Sequence, residues 1–375
     1  GQMVSAICPM CIFLRSGTME TDQNNSMQVC RGRFRAMGQR IFSTAGTAHR
    51  SGTGRSARLW RRIALGIVGA LMMGAGATYV AYARDMQVTR DRLTAGSQVV
   101  ETRHGPLEYT TWGAGSPVLV VHGAGGGYDQ GIAIARAYGS DGFRWISPSR
   151  FGYLRSPLPS DASTAAQADA FADLLDALEI EQVAILAMSG GVPPALQFAA
   201  RYPERTASLV LLSSAPYTPL TADEQEFPMP IWLYQTLFSS DFPYWVLQHV
   251  SRSSLEPLFD ITSELRAAAP AEEQTFMAHM VDAFQPVTAR MDGLQNEGAA
   301  IDPAAVYQLE TISIPTLVVH AQDDQINPFS FGEYTAEHIP GAQFLALERG
   351  GHLLLGHHAD VRAQVNRFLQ DGTTE

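Results

Sequence analysis

Val183-Ala-Ile-Leu-Ala-Met-Ser189-Gly-Gly-Val-Pro-Pro-Ala-Leu-Gln-Phe-Ala-Ala200 carries two different periodicities joined at one residue. An apolar run from Val183 to Met188 stops at a serine, and two glycines follow at once. Apolar residues then recur at Ala195, Leu196, Ala199 and Ala200, which is helical spacing. A buried strand that turns sharply into a helix with serine at the apex is a nucleophile elbow. The turn forces unusual backbone angles on the serine, so its neighbours must be small. Here the small-x-Ser-x-small pattern reads Ala187-Met188-Ser189-Gly190-Gly191, with alanine where a glycine is usual.

The same grammar extends on both sides. Upstream, Gln98–Thr111 reads as a strand or hairpin closed by Gly113 to Pro117. Val118 to Val121 is a continuous apolar run of the kind buried on both faces, and it leads directly into His122-Gly-Ala-Gly-Gly-Gly127. Phe143 to Ile146 is a further strand, followed by the loop Ser147 to Tyr153. Ala165 to Leu178 is an amphipathic helix with Phe171, Leu174, Leu175 and Leu178 on one face. Downstream come the elbow helix to Arg201, the strand Leu209 to Ser213, and, after a gap, the strands Thr316 to His320 and Phe344 to Leu347. A helix over about Ala359 to Leu369 closes the chain. Strands alternating with helices imply an α/β class fold with a mostly parallel sheet covered on both faces. Residues 217–300 break this rhythm. They lose the short apolar runs and become helical and aromatic, which predicts a helical cap inserted between two strands of one sheet. Most of its aromatics are expected to fill the cap's own core.

A nucleophilic serine needs a base, an acid to orient that base, and donors for an oxyanion. The strand ending at His320 empties into Ala321-Gln-Asp-Asp-Gln-Ile-Asn-Pro328, and the strand ending at Leu347 leads to Glu348-Arg-Gly-Gly-His352. Both loops lie at the carboxyl edge of the strands, where open α/β sheets place their sites. Together these motifs resemble the α/β-hydrolase family with an inserted cap, over about residues 98–372. The family pattern G-x-x-D-x-φ-φ-P is met by Ala321 to Pro328, with alanine for glycine, and its register selects Asp324 over Asp323. The G-G-H pattern selects His352, whereas His357 and His358 fall on a helix start and are expected to be solvated. The resemblance implies catalytic residues Ser189, Asp324 and His352. It also implies an oxyanion hole from the backbone N–H groups of Gly190 and Ala124, with Gly125 as the alternative to Ala124. His122 is a tempting base, but in that family this histidine braces the loop. The chemistry requires no metal and no organic cofactor.

Charge is unevenly placed. Residues 1–62 hold ten arginines against Glu20 and Asp22, a balance of +8, and the remainder holds sixteen arginines against thirty-five acids, a balance of −19, which sum to the net −11. There is no lysine, and an acidic globular part argues against nucleic acid as a partner. Cys8, Cys11 and Cys30 all lie in the basic leader, and Cys8-Pro-Met-Cys11 has no second ligand pair to make it a metal site. The leader reads as disordered, or as lying upstream of a start at Met37. Residues 63–83 contain no charged side chain and at about 1.5 Å per residue span roughly 30 Å, enough to cross a bilayer core. Arg58, Arg61 and Arg62 precede them, so the leader is expected to stay cytoplasmic and the acidic domain to lie on the periplasmic or extracellular side. Ala81-Tyr82-Ala83 offers a cleavage site, which would make the protein secreted or periplasmic, but the length of the apolar run favours an uncleaved membrane anchor. Residues 84–97 are expected to be a linker, and residues 98–216 and 301–375 the two parts of the core.

A serine at the elbow disfavours dehalogenases and epoxide hydrolases, which use aspartate there. Capped relatives that hydrolyse the C–C bond of ring-cleavage products are similar in layout, but usually show Gly-Asn-Ser-x-Gly-Gly at the elbow and tryptophan after the histidine. This chain has Met188 and Leu353 at those places. Proline iminopeptidases share the layout, yet no acidic cluster in the cap stands out to grip an amine. The expected activity is hydrolysis of carboxylic esters of small or medium apolar substrates. The alternatives are C–C hydrolysis, a proline iminopeptidase-like activity, and a non-catalytic ligand-binding member of the fold.

Overall fold

The computed structural model describes residues 53–215, 231–300 and 307–372. Most of the basic leader with its cysteines, and the segments 216–230 and 301–306, lie outside the described residues. Helix α1 (Thr53–Ala95) is long and apolar enough, by length and composition, to cross a membrane. It belongs to two compact units, one ending at Asp85 and the other beginning at Met86. Residues 84–95, expected as a linker, continue the helix. No glycine or proline interrupts Tyr79 to Ala95, and Met86 and Leu93 bury their side chains in the second unit, so the chain gains by staying helical until Gly96.

The second unit is built on an eight-stranded sheet: β1 (Gln98–Thr102), β2 (Gly105–Gly113), β3 (Ser116–Val121), β4 (Phe143–Pro148), β5 (Val183–Met188), β6 (Thr206–Leu212), β7 (Thr316–Ala321) and β8 (Gln343–Leu347), in the order β1-β2-β4-β3-β5-β6-β7-β8. The β1–β2 hairpin and the β2–β4 pair are antiparallel, and β4 to β8 run parallel. Helices α2 (Tyr128–Tyr138), α3 (Thr164–Ala177), α4 (Val192–Arg201), α10 (Phe329–His338) and α11 (His358–Asp371) supply the crossovers and cover the faces.

Period-two alternation sorts the strand side chains between two cores. Val118, Val120, Ala184, Leu186, Val210 and Leu212 face α2 and α11, while Leu119, Val121, Ile185, Ala187, Leu209 and Leu211 face α3 and α4. Residues Val118 to Val121 are fully buried. Each such side chain contributes about 1.5–3 kcal/mol relative to exposure, which explains the uninterrupted apolar run in the sequence.

Between β6 and β7 lie the cap helices α5 (Ile231–Phe238), α6 (Asp241–Val250), α7 (Ser263–Ala268), α8 (Ala271–Asp282) and α9 (Met291–Ala300). Phe238, Tyr244, Phe259, Phe276 and Phe284 are buried in a core continuous with the α2–α11 face, and Trp245 is also buried, whereas Trp232 and Phe242 are exposed. His358 departs from expectation. It is buried, with Nε2 2.9 Å from Leu353 O and 3.2 Å from Tyr138 Oη, because α11 packs its first turn against α2.

Candidate active site

The carboxyl ends of β3, β4, β5, β6, β7 and β8 bring together His122, Arg150, Ser189, Ser213, Asp324 and His352. At the elbow, Ser189 has φ +52°, a left-handed conformation that an L-residue adopts at a cost, held between the end of β5 and the start of α4. The turn is tight enough that a Cβ at Gly191 would sit 2.4 Å from Val121 O, which accounts for glycine there. Ser189 is buried, with 8% of its surface exposed.

Asp324 and His352 meet beside it, with His352 Nδ1 2.9 Å from Asp324 Oδ2 and 3.2 Å from Oδ1. The other carboxylate oxygen of Asp324, Oδ1, accepts the N–H groups of Ile326 and Asn327, each at 2.9 Å, which fixes the plane of the carboxylate. A second imidazole, His320, is fully buried with Nε2 3.3 Å from Asp324 Oδ2. Burial alone pushes the Asp324 carboxyl up, but His352 and His320 outweigh it and hold the group well below the usual carboxylate range. Asp323 serves the neighbouring backbone. Its Oδ1 accepts the N–H of Gly351 at 2.8 Å and so shapes the loop that presents His352.

The cap supplies a further carboxylate. Asp260, itself in the left-handed region at φ +57°, accepts with Oδ2 the N–H of His352 at 2.9 Å and that of Gln325 at 3.1 Å. One oxygen thereby ties the loop after β7 to the loop after β8. Burial, with Asp324 nearby, pushes the Asp260 carboxyl up to about 6 against the pull of those two N–H bonds. From the opposite side Ser213 Oγ donates to His352 O at 2.8 Å. The amide of Asn327 donates to Ser213 O at 2.9 Å and reaches Ser189 Oγ at 3.3 Å.

The glycine-rich loop after β3 is held from behind. His122 is fully buried. Its Nε2 accepts the N–H of Arg150 at 2.9 Å and its Nδ1 lies 2.7 Å from Gly123 O. Burial, then Arg150, depress its proton affinity far below the ordinary imidazole value, so it stays neutral and braces the loop. Gly123 N–H donates to Gln130 Oε1, Gly125 N–H to Tyr153 Oη at 3.3 Å, and Gly126 N–H to Gly123 O. Within the same run, Ala124 N lies 3.2 Å from where a Cβ on Gly190 would stand. Ala124 therefore lies against Gly190, whereas the N–H of Gly125 is taken by Tyr153 Oη.

Two cap residues hold the same loop. Arg290 is fully buried and donates to Gly126 O at 2.6 Å and to Asp129 Oδ2 at 2.8 Å. Glu297 pairs with Arg150 and accepts from Tyr153 Oη at 2.5 Å. A small, solvent-open pocket lies beside Gly190, lined by Arg150, Tyr153, Gln167, Asn296 and Glu297 among others. Among the described residues no cluster of three or more His, Cys, Asp or Glu could hold a metal ion.

Asp260, Arg290, Glu297, His320 and Asn327 were not visible as site residues from the sequence. The first three come from the cap, where no local motif marks them. Asn327 did leave a trace: it is a polar residue at the second apolar position of the D-x-φ-φ-P pattern.

Residues 116–359 match the model of the family described as alpha/beta hydrolase fold. The chain is 31% identical over 268 residues to a 2-hydroxymuconate semialdehyde hydrolase of Pseudomonas sp. (strain CF600), covering 69% of this chain and 88% of that one. It is 29% identical over 272 residues to the hydrolase YcgS of Bacillus subtilis (strain 168), covering 68% and 91% respectively. Among solved structures, an alpha/beta hydrolase fold protein from Nakamurella multipartita superimposes with a TM-score of 0.64 at 27% identity, covering 74% of this chain and 99% of the other.

Proposed function

Because this chain belongs to the α/β-hydrolase fold family, we propose that it is a serine hydrolase that cleaves carboxylic esters of small or medium apolar substrates through an acyl-enzyme. Ser189 Oγ attacks the carbonyl carbon and His352 takes its proton. Asp324 holds the imidazole in the tautomer with Nδ1–H and stabilises the imidazolium. The N–H groups of Gly190 and Ala124 receive the oxyanion, an interaction worth roughly 3–4 kcal/mol per donor. Water activated by His352 then releases the acid. The observation that carries this reading is the 2.9 Å contact of His352 Nδ1 with Asp324 Oδ2, at a sheet edge shared with a serine held at φ +52°.

A second reading, hydrolysis of a C–C bond next to a ketone, draws on the 2-hydroxymuconate semialdehyde hydrolase relative. Against it stand Met188 and Leu353, which are buried apolar side chains and offer no polar contact to an enol or carboxylate. Wild type and Ser189→Ala assayed on activated esters of graded acyl length and on a dienoate ring-cleavage product separate the two. Ester turnover lost in Ser189→Ala supports the first reading, and turnover of the dienoate alone supports the second. An inert wild type on both, with no labelling by a serine-directed covalent probe, overturns both.

The apolar part of α1 is proposed as an uncleaved membrane anchor, with the hydrolase unit on the periplasmic or extracellular side. Supporting this, the helix runs without an extended break through Ala81–Ala83, where a signal peptidase would need one. Recovery of the full-length chain in the soluble cytoplasmic fraction would overturn the anchor.

A further inference from the structure

Asn327 stands where its side chain can act on the nucleophile itself. It is 1% exposed and follows the candidate acid by three residues, on the loop after β7. Its Nδ2 donates to Ser213 O at 2.9 Å, and the same nitrogen lies 3.3 Å from Ser189 Oγ. The carbonyl of Ser213 can only accept. It therefore determines which end of the amide is NH2, and the second N–H of that group is the one directed at Oγ. The Asn327 backbone is fixed as well, its N–H bonded to Asp324 Oδ1 at 2.9 Å and its O 3.1 Å from His320 Nε2. A donor held at three points and aimed at the serine oxygen needs little reorganisation when charge appears there.

We propose, resting on the serine-hydrolase reading above, that Asn327 is a catalytic residue that stabilises negative charge on Ser189 Oγ, chiefly during release of the acyl group. In deacylation the tetrahedral adduct collapses. The lone pair of the oxyanion re-forms the carbonyl, the C–Oγ bond breaks, and its electron pair goes to Oγ. That oxygen then takes the proton from the His352 imidazolium. Gly190 and Ala124 lose their charged partner in this step while Oγ gains charge, and Asn327 N–H is the donor placed to receive it. The same contact favours ionisation of Oγ in the attacking step. There the leaving alcohol of an activated ester already makes acylation fast, so the loss of Asn327 shows most clearly in deacylation.

The test uses the full-length protein in detergent with a p-nitrophenyl ester that the wild type turns over, and three readouts: burst amplitude, steady-state kcat, and active sites titrated with a fluorophosphonate. In Asn327→Leu, an apolar replacement of similar size, the burst should remain near one equivalent per titrated site while kcat per titrated site falls about 10- to 100-fold. In Asn327→Asp the donor becomes an acceptor carrying charge, and kcat per site should fall further than in Asn327→Leu. Counting titrated sites removes misfolded protein from both comparisons. Unchanged kcat per site in Asn327→Leu, or a fall accounted for wholly by fewer titratable sites, overturns the proposal and leaves the serine-hydrolase reading standing. An Asn327→Asp variant more active per site than Asn327→Leu also overturns it. A wild type with no Ser189-dependent turnover at all sinks the parent reading first.

Discussion

Arg290 Nη2 and Asp129 Oδ2 meet at 2.8 Å with the arginine fully buried and the aspartate 4% exposed, joining the cap to the first turn of α2. The same guanidinium donates to Gly126 O, so the pair also holds the glycine loop beside Ser189. Removing one member leaves the other charged and buried. Asp129→Ala should therefore destabilise the fold by about 3–5 kcal/mol, whereas Asp129→Leu combined with Arg290→Met should cost much less. Urea unfolding midpoints of the three proteins check this. A single variant within 1 kcal/mol of wild type, on the order of a surface change, would show that the pair carries no such weight.

The serine at the elbow stores strain. A left-handed L-residue costs about 1–2 kcal/mol, and glycine is free of that cost. At an ordinary site alanine is more stable than glycine. At position 189 the order should reverse or vanish, with Ser189→Gly matching or exceeding Ser189→Ala by up to about 1 kcal/mol in thermal unfolding. Both variants should lose ester turnover by at least about 10⁴-fold.

Asp260 links stability to pH in a direction opposite to Asp324. Its folded-state pKa of about 6 lies above the ordinary carboxylate value. The stability it contributes is therefore complete below about pH 4 and is lost as pH rises to about 6. Asp260→Asn keeps an oxygen acceptor for His352 N–H and Gln325 N–H but cannot ionise. It should gain on wild type by up to about 3 kcal/mol between pH 4 and 7. Asp324, held low by the two histidines, contributes above about pH 4 and loses its contribution as pH falls further. Denaturation curves at stepped pH, with Asp260→Asn subtracted from wild type, isolate the first effect. A difference that is flat from pH 4 to 7 would refute it.

Gly351 carries the cap's grip on the histidine loop. It has φ +58°, and a Cβ there would lie 2.8 Å from Asp260 Oδ2 and 2.9 Å from Leu265 Cδ1. Gly351→Ala should lower stability by at least about 1–2 kcal/mol and lower kcat more than it raises KM, since His352 is the next residue. Steady-state kinetics and thermal unfolding of the one variant supply both numbers.

The sequence by itself determined the alternation of strands and helices, the elbow at Ser189, and the loops bearing Asp324 and His352. These depend on local rules: a fully buried parallel strand must be apolar throughout, a sharp strand–helix turn must use small residues, and sites gather at the carboxyl ends of strands. Such signals lie within a few residues of the groups they mark. Residues 84–95 and His358 differ from the local reading because burial by distant elements decides them: Leu93 and Met86 pack into the hydrolase unit, and α2 covers the start of α11. Only the tertiary structure placed Asp260 on the backbone of His352, Arg290 on Asp129, Glu297 on Arg150, and the amide of Asn327 on Ser189. Each of these contacts joins residues far apart in the chain, and a hydrogen bond between them has no period or spacing to betray it. The elbow serine was legible because strain is local, whereas the groups around its oxygen were not, because charge and hydrogen bonding act through space.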